Sequence, residues 1–464
     1  MTHLLIIGGS DAGISAALRA KELAPSTEMT ILLSDNFPNF SICGLPFFLS
    51  GEVSDWRNLA HRTKDDITRE GIQLLTNHTA TAIHSTEKAV TAIDTKGQKH
   101  HIHYDRLVIC TGAVSHQPHI QGIELPGVYF LRWMADSFAV QRHLSEYNPQ
   151  TVVIIGGGYV GLEMADALVL RGLKVTLVEH SATVLKTVAP SLGEMVAAEL
   201  QSRGVAVATG ISIEAIQEQG NQLLVIGSNG FKAITDLVLV AVGAKPSTQL
   251  AESAGVELGL GNAIRVNRKM ETNIPDVYAA GDCVETWHRL LQKCIYLPLG
   301  TTAHKQGRTA GENAVGGHAE FAGSLGTQVV KVFELSIART GLREAEASEA
   351  GFDPMSVESE IWDHKVYYPG AHKLRIRVTG DRRSGRLLGA QMAGHYQGEV
   401  AKRIDIFATA LFHGMRVDEL NDLDLSYTPP FSSPWDPVQM SAQAWVKAQS
   451  APRVPIRAHV ESVS

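Results

Sequence analysis

The chain has 464 residues, 44% hydrophobic and 19% charged, which suits a globular protein of two to four domains. Its 41 basic and 48 acidic side chains leave a mildly acidic balance. That argues against nucleic acid as a partner, and no apolar run approaches the roughly 20 residues of a membrane helix. Four cysteines, Cys43, Cys110, Cys283 and Cys294, make neither a disulfide framework nor a CxxC zinc pair. No metal site is expected, and a reducing, cytoplasmic setting is implied.

The N-terminal MTHLLIIGG opens directly on a strand, without the basic stretch and cleavage site of a signal peptide. Residues 3 to 35 then read as strand HLLIIGG, a glycine-rich turn, the alanine-rich helix ISAALRAKEL and strand MTILLSD. In the turn, Gly8-Gly9-Ser10-Asp11-Ala12-Gly13, Ser10 takes the middle glycine position, where a small residue still admits a pyrophosphate. The acidic residue at the end of this unit is Asp35, with Ser34 the alternative for that position. Cys43, in NFSICGLPFFLSG, leads into a helix start, with Gly44 and then Pro46 suited to its first turn. Backbone N–H groups there favour the thiolate and are expected to lower a pKa of about 8.5 in a free cysteine. YDRLVICTGA (104–113) is a buried strand ending at Thr111-Gly112, where Cys110 is small packing material.

The opening plan recurs at residues 151 to 179 as strand TVVIIGGG, helix YVGLEMADALVLRG and strand KVTLVE. Continuous β-branched runs alternating with helices indicate parallel sheets covered on both faces. Gly156, Gly158 and Gly161 form a G-x-G-x-x-G between strand and helix. The first permits the turn, the second lets backbone approach a pyrophosphate, and the third permits close helix–sheet packing. Glu179, at the end of the next strand, can accept both ribose hydroxyls of NADH and would repel a 2′-phosphate; His180 softens that preference and leaves NADPH open. DLVLVAVGAKP (236–246), with Gly243 in its turn, repeats the part played by 104–113, and TNIPDVYAAGDC (272–283) ends a strand at Gly281-Asp282. From about residue 324 the strands GTQVVKVFEL, LRIRVTG and RLLGAQMAG and the helix EVAKRIDIFATALFHG describe a separate α+β module.

The two fingerprints, SICGLPFFLSG, TNIPDVYAAGDC and LSYTPPFSSPWDP (425–437) together resemble the pyridine nucleotide-disulfide oxidoreductases over roughly residues 1 to 445. The nearest branch is the single-cysteine one of coenzyme A-disulfide reductases, NADH oxidases and NADH peroxidases. The resemblance implies an α/β fold with two Rossmann-like domains, for FAD and NADH, and a C-terminal α+β dimerisation domain. It places the FAD-binding domain at 1–112 and 245–322, the NAD(P)H domain at 113–244, the interface domain at 323–450 and a tail at 451–464. It also implies that Asp282 binds the ribityl–phosphate part of FAD, that Thr111 and Gly112 lie on the flavin side, and that Glu163 lies near the nicotinamide. Arg19 and Lys21 on the first helix would meet the phosphates of coenzyme A, with Ser41 on the substrate side. Tyr427, and Tyr367 or Tyr368, would approach the cysteine from the partner subunit of a homodimer as general acids.

The two-cysteine members carry a second thiol a turn after the first and a His-Glu base near the C-terminus. Here Phe47, Phe48 and Leu49 follow Cys43, and Tyr427-Thr-Pro-Pro replaces the base. Cys43 must therefore cycle through a mixed disulfide with a small thiol, or through a sulfenic acid. The first course gives an FAD-dependent NAD(P)H oxidoreductase acting on a coenzyme A-type disulfide or persulfide, and no sulfurtransferase domain is expected after the interface module. The second gives an NADH oxidase or peroxidase. Against it stands Asp11, which occupies the position where those enzymes carry a histidine. Asp11 would either cap the helix or, facing the thiol, raise its pKa. A redox-sensing or electron-transfer flavoprotein with a protein partner is a third reading, opposed by the reactive Cys43. Cys283 and Cys294 read as structural.

Overall fold

A computed structural model describes residues 2–451, so the tail expected from 451 onward lies outside the described residues apart from its first member. The chain forms two compact units, Met1–Ser324 and Leu325–Ser464. No helix among the described residues is long and apolar enough to cross a membrane.

In the first unit, β1 (His3–Ile7) pairs in parallel with β2 (Glu28–Leu32) and with Arg106–Ile109. β3 (Gln73–Leu75) and Val277–Ala279 extend this five-stranded sheet at its two edges. Leu4, Leu5 and Ile6 have no exposed surface, as a parallel strand covered on both faces requires. Helix α1 (Asp11–Leu23) follows β1 and is crossed by the helix Gly300–Ala314. That crossing is close because it is made of small residues. A Cβ at Gly307 or Gly311 would lie 2.1 Å from the carbonyl oxygen of Ala12 or Ala16. A second parallel sheet, ordered Ala206–Thr209, Lys174–Glu179, Thr151–Ile155, Leu237–Val240 and Val128–Phe130, repeats the plan. Strands Ala113–Ser115 and Ala244–Pro246, where the chain passes between the two sheets, pair antiparallel.

Two three-stranded antiparallel sheets, starting at His78 and at Ile213, carry no parallel-sheet signal and have no counterpart in the sequence reading. On the first, His78, Asp94 and His100 each come from a different strand, and their ligating atoms lie within 4.8 Å of one another. Asp94 and His100 form an ion pair at 3.1 Å.

The second unit is a five-stranded antiparallel sheet packed by helices Val400–Phe412 and Pro437–Ser450. Buried Trp445 donates to Met355 O at 2.8 Å, and buried Arg403 donates to Phe431 O and Asp363 O, both at 2.9 Å. Arg403 thereby ties the Tyr-Pro-Pro segment to the loop that follows the edge strand Pro354–Trp362. The α/β class with two Rossmann-like sheets and a C-terminal α+β module is the class read from the sequence.

Candidate active site

The glycine-rich loop after β1 borders a cavity of about 400 Å³, lined by Gly8, Ser10, Ser34, Asp35, Thr111 and Trp133 among others. Both candidates for the acidic position thus face the same space. Asp35 accepts from Phe37 N at 2.9 Å, and burial raises its pKa above the usual carboxylate value. Asn39 donates its backbone N–H to Gly9 O at 2.8 Å, while its fully buried side-chain amide has no partner at either atom. An orphaned buried amide beside an open-ended fingerprint loop is what a polar cofactor edge would satisfy, so the residues here fit a dinucleotide such as FAD.

The second fingerprint is built the same way. A Cβ at Gly161 would sit 1.9 Å from Gly156 O, and one at Gly13 would sit 1.9 Å from Gly8 O, so only glycine lets either helix press onto its strand. Gly158, at the start of the helix Tyr159–Leu170, faces open space, which leaves the helix N-terminus free for phosphate. Buried Glu179 accepts from Gly157 N at 2.7 Å and from Ser181 N at 2.8 Å, with His180 Nδ1 2.9 Å away. Burial alone would raise its pKa, but these N–H groups outweigh it and hold the carboxyl below its ordinary value. Gly243 lies in a turn with a φ of +106° and open surroundings.

Between the two halves, Asp282 forms an ion pair with Arg132, and Tyr296 donates to Asp282 O at 3.0 Å. The N–H of Gly281 donates to buried Gln306 at 3.1 Å, and Gly112 faces Trp133. Arg132 carries no local sequence signal, since only the fold brings LRWM next to the Gly-Asp turn.

Cys43 is the one exposed cysteine among the four; Cys110 and Cys283 are buried and Cys294 is half-buried. It sits in a single 3₁₀ turn, Ile42–Gly44, that runs into the six-residue helix α2 (Leu45–Ser50). Phe37 makes edge-to-face contacts with Phe40, Trp56 and Phe138, and Phe48 of α2 packs edge-on to Phe138. The expected lowering of the Cys43 pKa is corrected here. The surrounding protein desolvates the thiol, and Glu163 and Asp11 repel a thiolate, so its pKa is raised; Arg132 opposes this only in part. A turn so short has too little dipole to offset two carboxylates. Glu163, on the helix of the second fingerprint, is pushed up to about 7 by burial and then by Asp166.

Asp11 does not cap α1, which corrects that expectation as well. Its Oδ1 is buried without a hydrogen-bond partner, 3.4 Å from His304 Nε2. Burial raises the Asp11 pKa, against the pull of His304 and His61. His304 also pairs with Ser15 Oγ at 2.7 Å through Nδ1.

Arg19 is not a free cation on a solvated helix face. Its guanidinium donates to Glu312 at 2.6 and 2.8 Å and pairs with Glu22 at 2.9 Å. Lys21 donates to Thr27 O at 3.2 Å. Ser41, half-buried, donates its backbone N–H to Leu59 O at 2.8 Å. In the second unit, Tyr367 and Tyr427 are both exposed, and desolvation and then Tyr427 raise the Tyr367 pKa, while Tyr368 packs edge-on to His364.

Residues 2–307 match the family model described as pyridine nucleotide-disulphide oxidoreductase, and residues 327–437 match the model of that family's dimerisation domain. The chain belongs to this family, and it is an oxidoreductase that uses FAD and a pyridine nucleotide. It is 34% identical over 444 residues to an NAD(P)H sulfur oxidoreductase (CoA-dependent) of Pyrococcus furiosus, covering 95% of this chain and 98% of that one. It is 30% identical over 443 residues to a coenzyme A disulfide reductase of Staphylococcus haemolyticus, covering 95% and 98%. The solved NAD-dependent persulfide reductase from A. fulgidus superposes with a TM-score of 0.93 at 36% identity, over 97% of this chain and 84% of that one.

Proposed function

We propose that the chain reduces a small-molecule disulfide or persulfide of the coenzyme A type with NADH, through Cys43 alone. One observation carries the reading. The single exposed thiol feels the charge of a carboxyl from each dinucleotide fingerprint, Asp11 and Glu163, while Cys110 and Cys283 are buried and Cys294 is half-buried. A thiol placed between two nucleotide sites, without a second cysteine, has only a substrate sulfur to pair with.

FAD, when bound, supplies the two-electron connection between the nicotinamide and the thiol. The first fingerprint with Asp35, Thr111, Gly112, Gly281 and Asp282 holds it. The second fingerprint with Gly243 and Glu179 holds NADH, and Glu163 borders the nicotinamide side. Cys43 Sγ attacks one sulfur of the substrate, and Ser41 flanks the entering group. The homodimer brings Tyr367 and Tyr427 of one protomer to the Cys43 of its partner. Tyr368 is the alternative to Tyr367 in that pair. Arg19 and Lys21 reach a coenzyme A phosphate only by exchanging their present partners. The domain division is the one read from the sequence, and the setting is a reducing cytoplasm.

Cys43→Ser tests the reading in an anaerobic NADH titration with turnover assays. Wild-type protein should take up more than two electrons per FAD and, above the raised pKa of Cys43, show a thiolate–flavin band, and the variant should lose both. Turnover of coenzyme A disulfide, persulfide or polysulfide should fall by at least about 100-fold. Full disulfide turnover in the variant, or faster wild-type turnover of peroxide or oxygen, would sink it.

A further inference from the structure

We propose that His78, Asp94 and His100 form a binding site for one divalent transition-metal ion, with zinc the best match. The proposal stands apart from the sulfur chemistry at Cys43. The three side chains come from the three strands His78–His84, Ala89–Asp94 and Lys99–His103, and their ligating atoms lie within 4.8 Å of one another.

The strand register makes this meeting. His78 stands opposite Asp94, and His100 stands opposite Ala92, two residues back along the same central strand. Residues two apart on a strand share a face, so the carboxylate of the central strand is flanked by an imidazole from each edge strand. The two ring centroids are 4.9 Å apart. Ligands drawn from three strands leave no local spacing in the sequence, unlike a CxxC pair.

Hydrogen bonds already orient the ligands. His78 Nδ1 lies 2.8 Å from Thr76 O, which can only accept, so the neutral ring carries its proton there and presents the lone pair of Nε2. A backbone carbonyl on the far nitrogen is the usual support of a metal-bound histidine. Asp94 Oδ1 accepts from Lys96 N and Gln98 N, both at 2.9 Å, which pins the carboxylate. Its Oδ2 lies 3.1 Å from His100 Nε2, and this is the one bond that a cation replaces. The neutral His100 ring moves its proton from Nε2 to Nδ1, and Nε2 and Oδ2 both bind the ion. A tetrahedral zinc with bonds of about 2.0–2.1 Å keeps its ligands about 3.4 Å apart, so small side-chain rotations close the trio.

Two imidazoles and one carboxylate suit zinc and its first-row neighbours, whereas magnesium and calcium require oxygen ligands. The side chains of His100 and Asp94 are 33% and 16% exposed, which opens a path for the ion and leaves a fourth position to water. His78, Thr79 and Ala80 also border the FAD cavity, so an ion that clips the three strands together braces one wall of it.

The test uses untagged, FAD-loaded Cys43→Ser protein, in which no exposed thiol competes for zinc. After dialysis against a chelator, calorimetric titration with zinc chloride should give one ion per chain with a Kd of about 10 μM or lower, and zinc should raise the melting temperature. Adding His100→Gln or Asp94→Asn should weaken binding by about 30-fold or more and abolish the rise in melting temperature. His78→Gln should do the same, with flavin content read beside it because of the cavity. His84→Gln, which removes a histidine of the same sheet outside the trio, should change the affinity by less than about 3-fold. A Kd above about 100 μM before these substitutions, several weak sites per chain, or affinity undiminished by His100→Gln would overturn the site. Should Asp94→Asn disturb the turn it anchors, the part-exposed His100→Gln still decides the matter.

Discussion

Glu163 adds to the desolvation that raises the pKa of the Cys43 thiol, and its own pKa is raised by burial and then by Asp166. Glu163 titrates near 7, against 4.5 for an ordinary glutamate, so the folded protein binds its proton more tightly than the unfolded chain does. The stability lost on ionising it is absent below pH 4.5, grows from there to 7, and is complete above. Glu163→Gln should therefore stabilise the protein at pH 8 by about 3 kcal/mol and leave it almost unchanged at pH 4.5. Melting curves at the two pH values check this, and an equal shift at both would contradict it. Removing the same charge relieves the repulsion on the Cys43 thiolate. Alkylation of the reduced enzyme at pH 8 should quicken several-fold in Glu163→Gln, and a slower reaction would show that the carboxylate does not act on the thiol. At this scale the sequence identified Cys43 by its flanking residues and its missing partner. The direction of its pKa was not legible, because Glu163, Asp11 and Arg132 come from three other segments.

Among the elements, the two strand–turn–helix units were readable because continuous apolar strands and fingerprint glycines are local signals. Their close packing yields a prediction. A valine at Gly307 would drive its Cβ to 2.1 Å from Ala12 O and push α1 away from its partner helix. Gly307→Val should cost about 3 kcal/mol or more and weaken FAD retention, read by melting temperature and by flavin absorbance after gel filtration. Normal stability and flavin content would mean that the crossing tolerates expansion. The coenzyme loop gives a second prediction. Glu179→Ser removes the acceptor for Gly157 N–H and Ser181 N–H along with a charge that repels a 2′-phosphate. It should lower kcat/KM for NADH and shift the NADPH-to-NADH ratio toward NADPH by about 10-fold or more, one decade being about 1.4 kcal/mol. An unchanged ratio would place coenzyme choice elsewhere. The antiparallel sheets at His78 and Ile213 escaped the reading, since short hairpins alternate too briefly to stand out between parallel units.

At the scale of the molecule, the second unit, which matches the family's dimerisation domain, exposes Trp362, Val366, Tyr367, Phe431 and Trp435. The chain should run as a dimer at twice its monomer mass in light scattering. Tyr427→Ala should slow disulfide turnover by about 10-fold or more, the lower range for a general acid, with hydride transfer to the flavin unaffected. A monomeric active enzyme would refute the assembly.

What the sequence determined by itself was whatever chemistry local spacing encodes: two nucleotide fingerprints, a lone thiol before Gly-Leu-Pro, and the family these residues resemble. What only the tertiary structure decided was the set of groups that meet at the thiol. The ion pairs Arg132–Asp282 and His304–Asp11, and the charge of Glu163 acting on Cys43, join residues more than a hundred positions apart in the chain. Charge acts through space, over a few ångströms, and spacing along the chain does not report that distance. For the same reason Arg19 reads in the sequence as a free cation, while the folded chain binds it to Glu312.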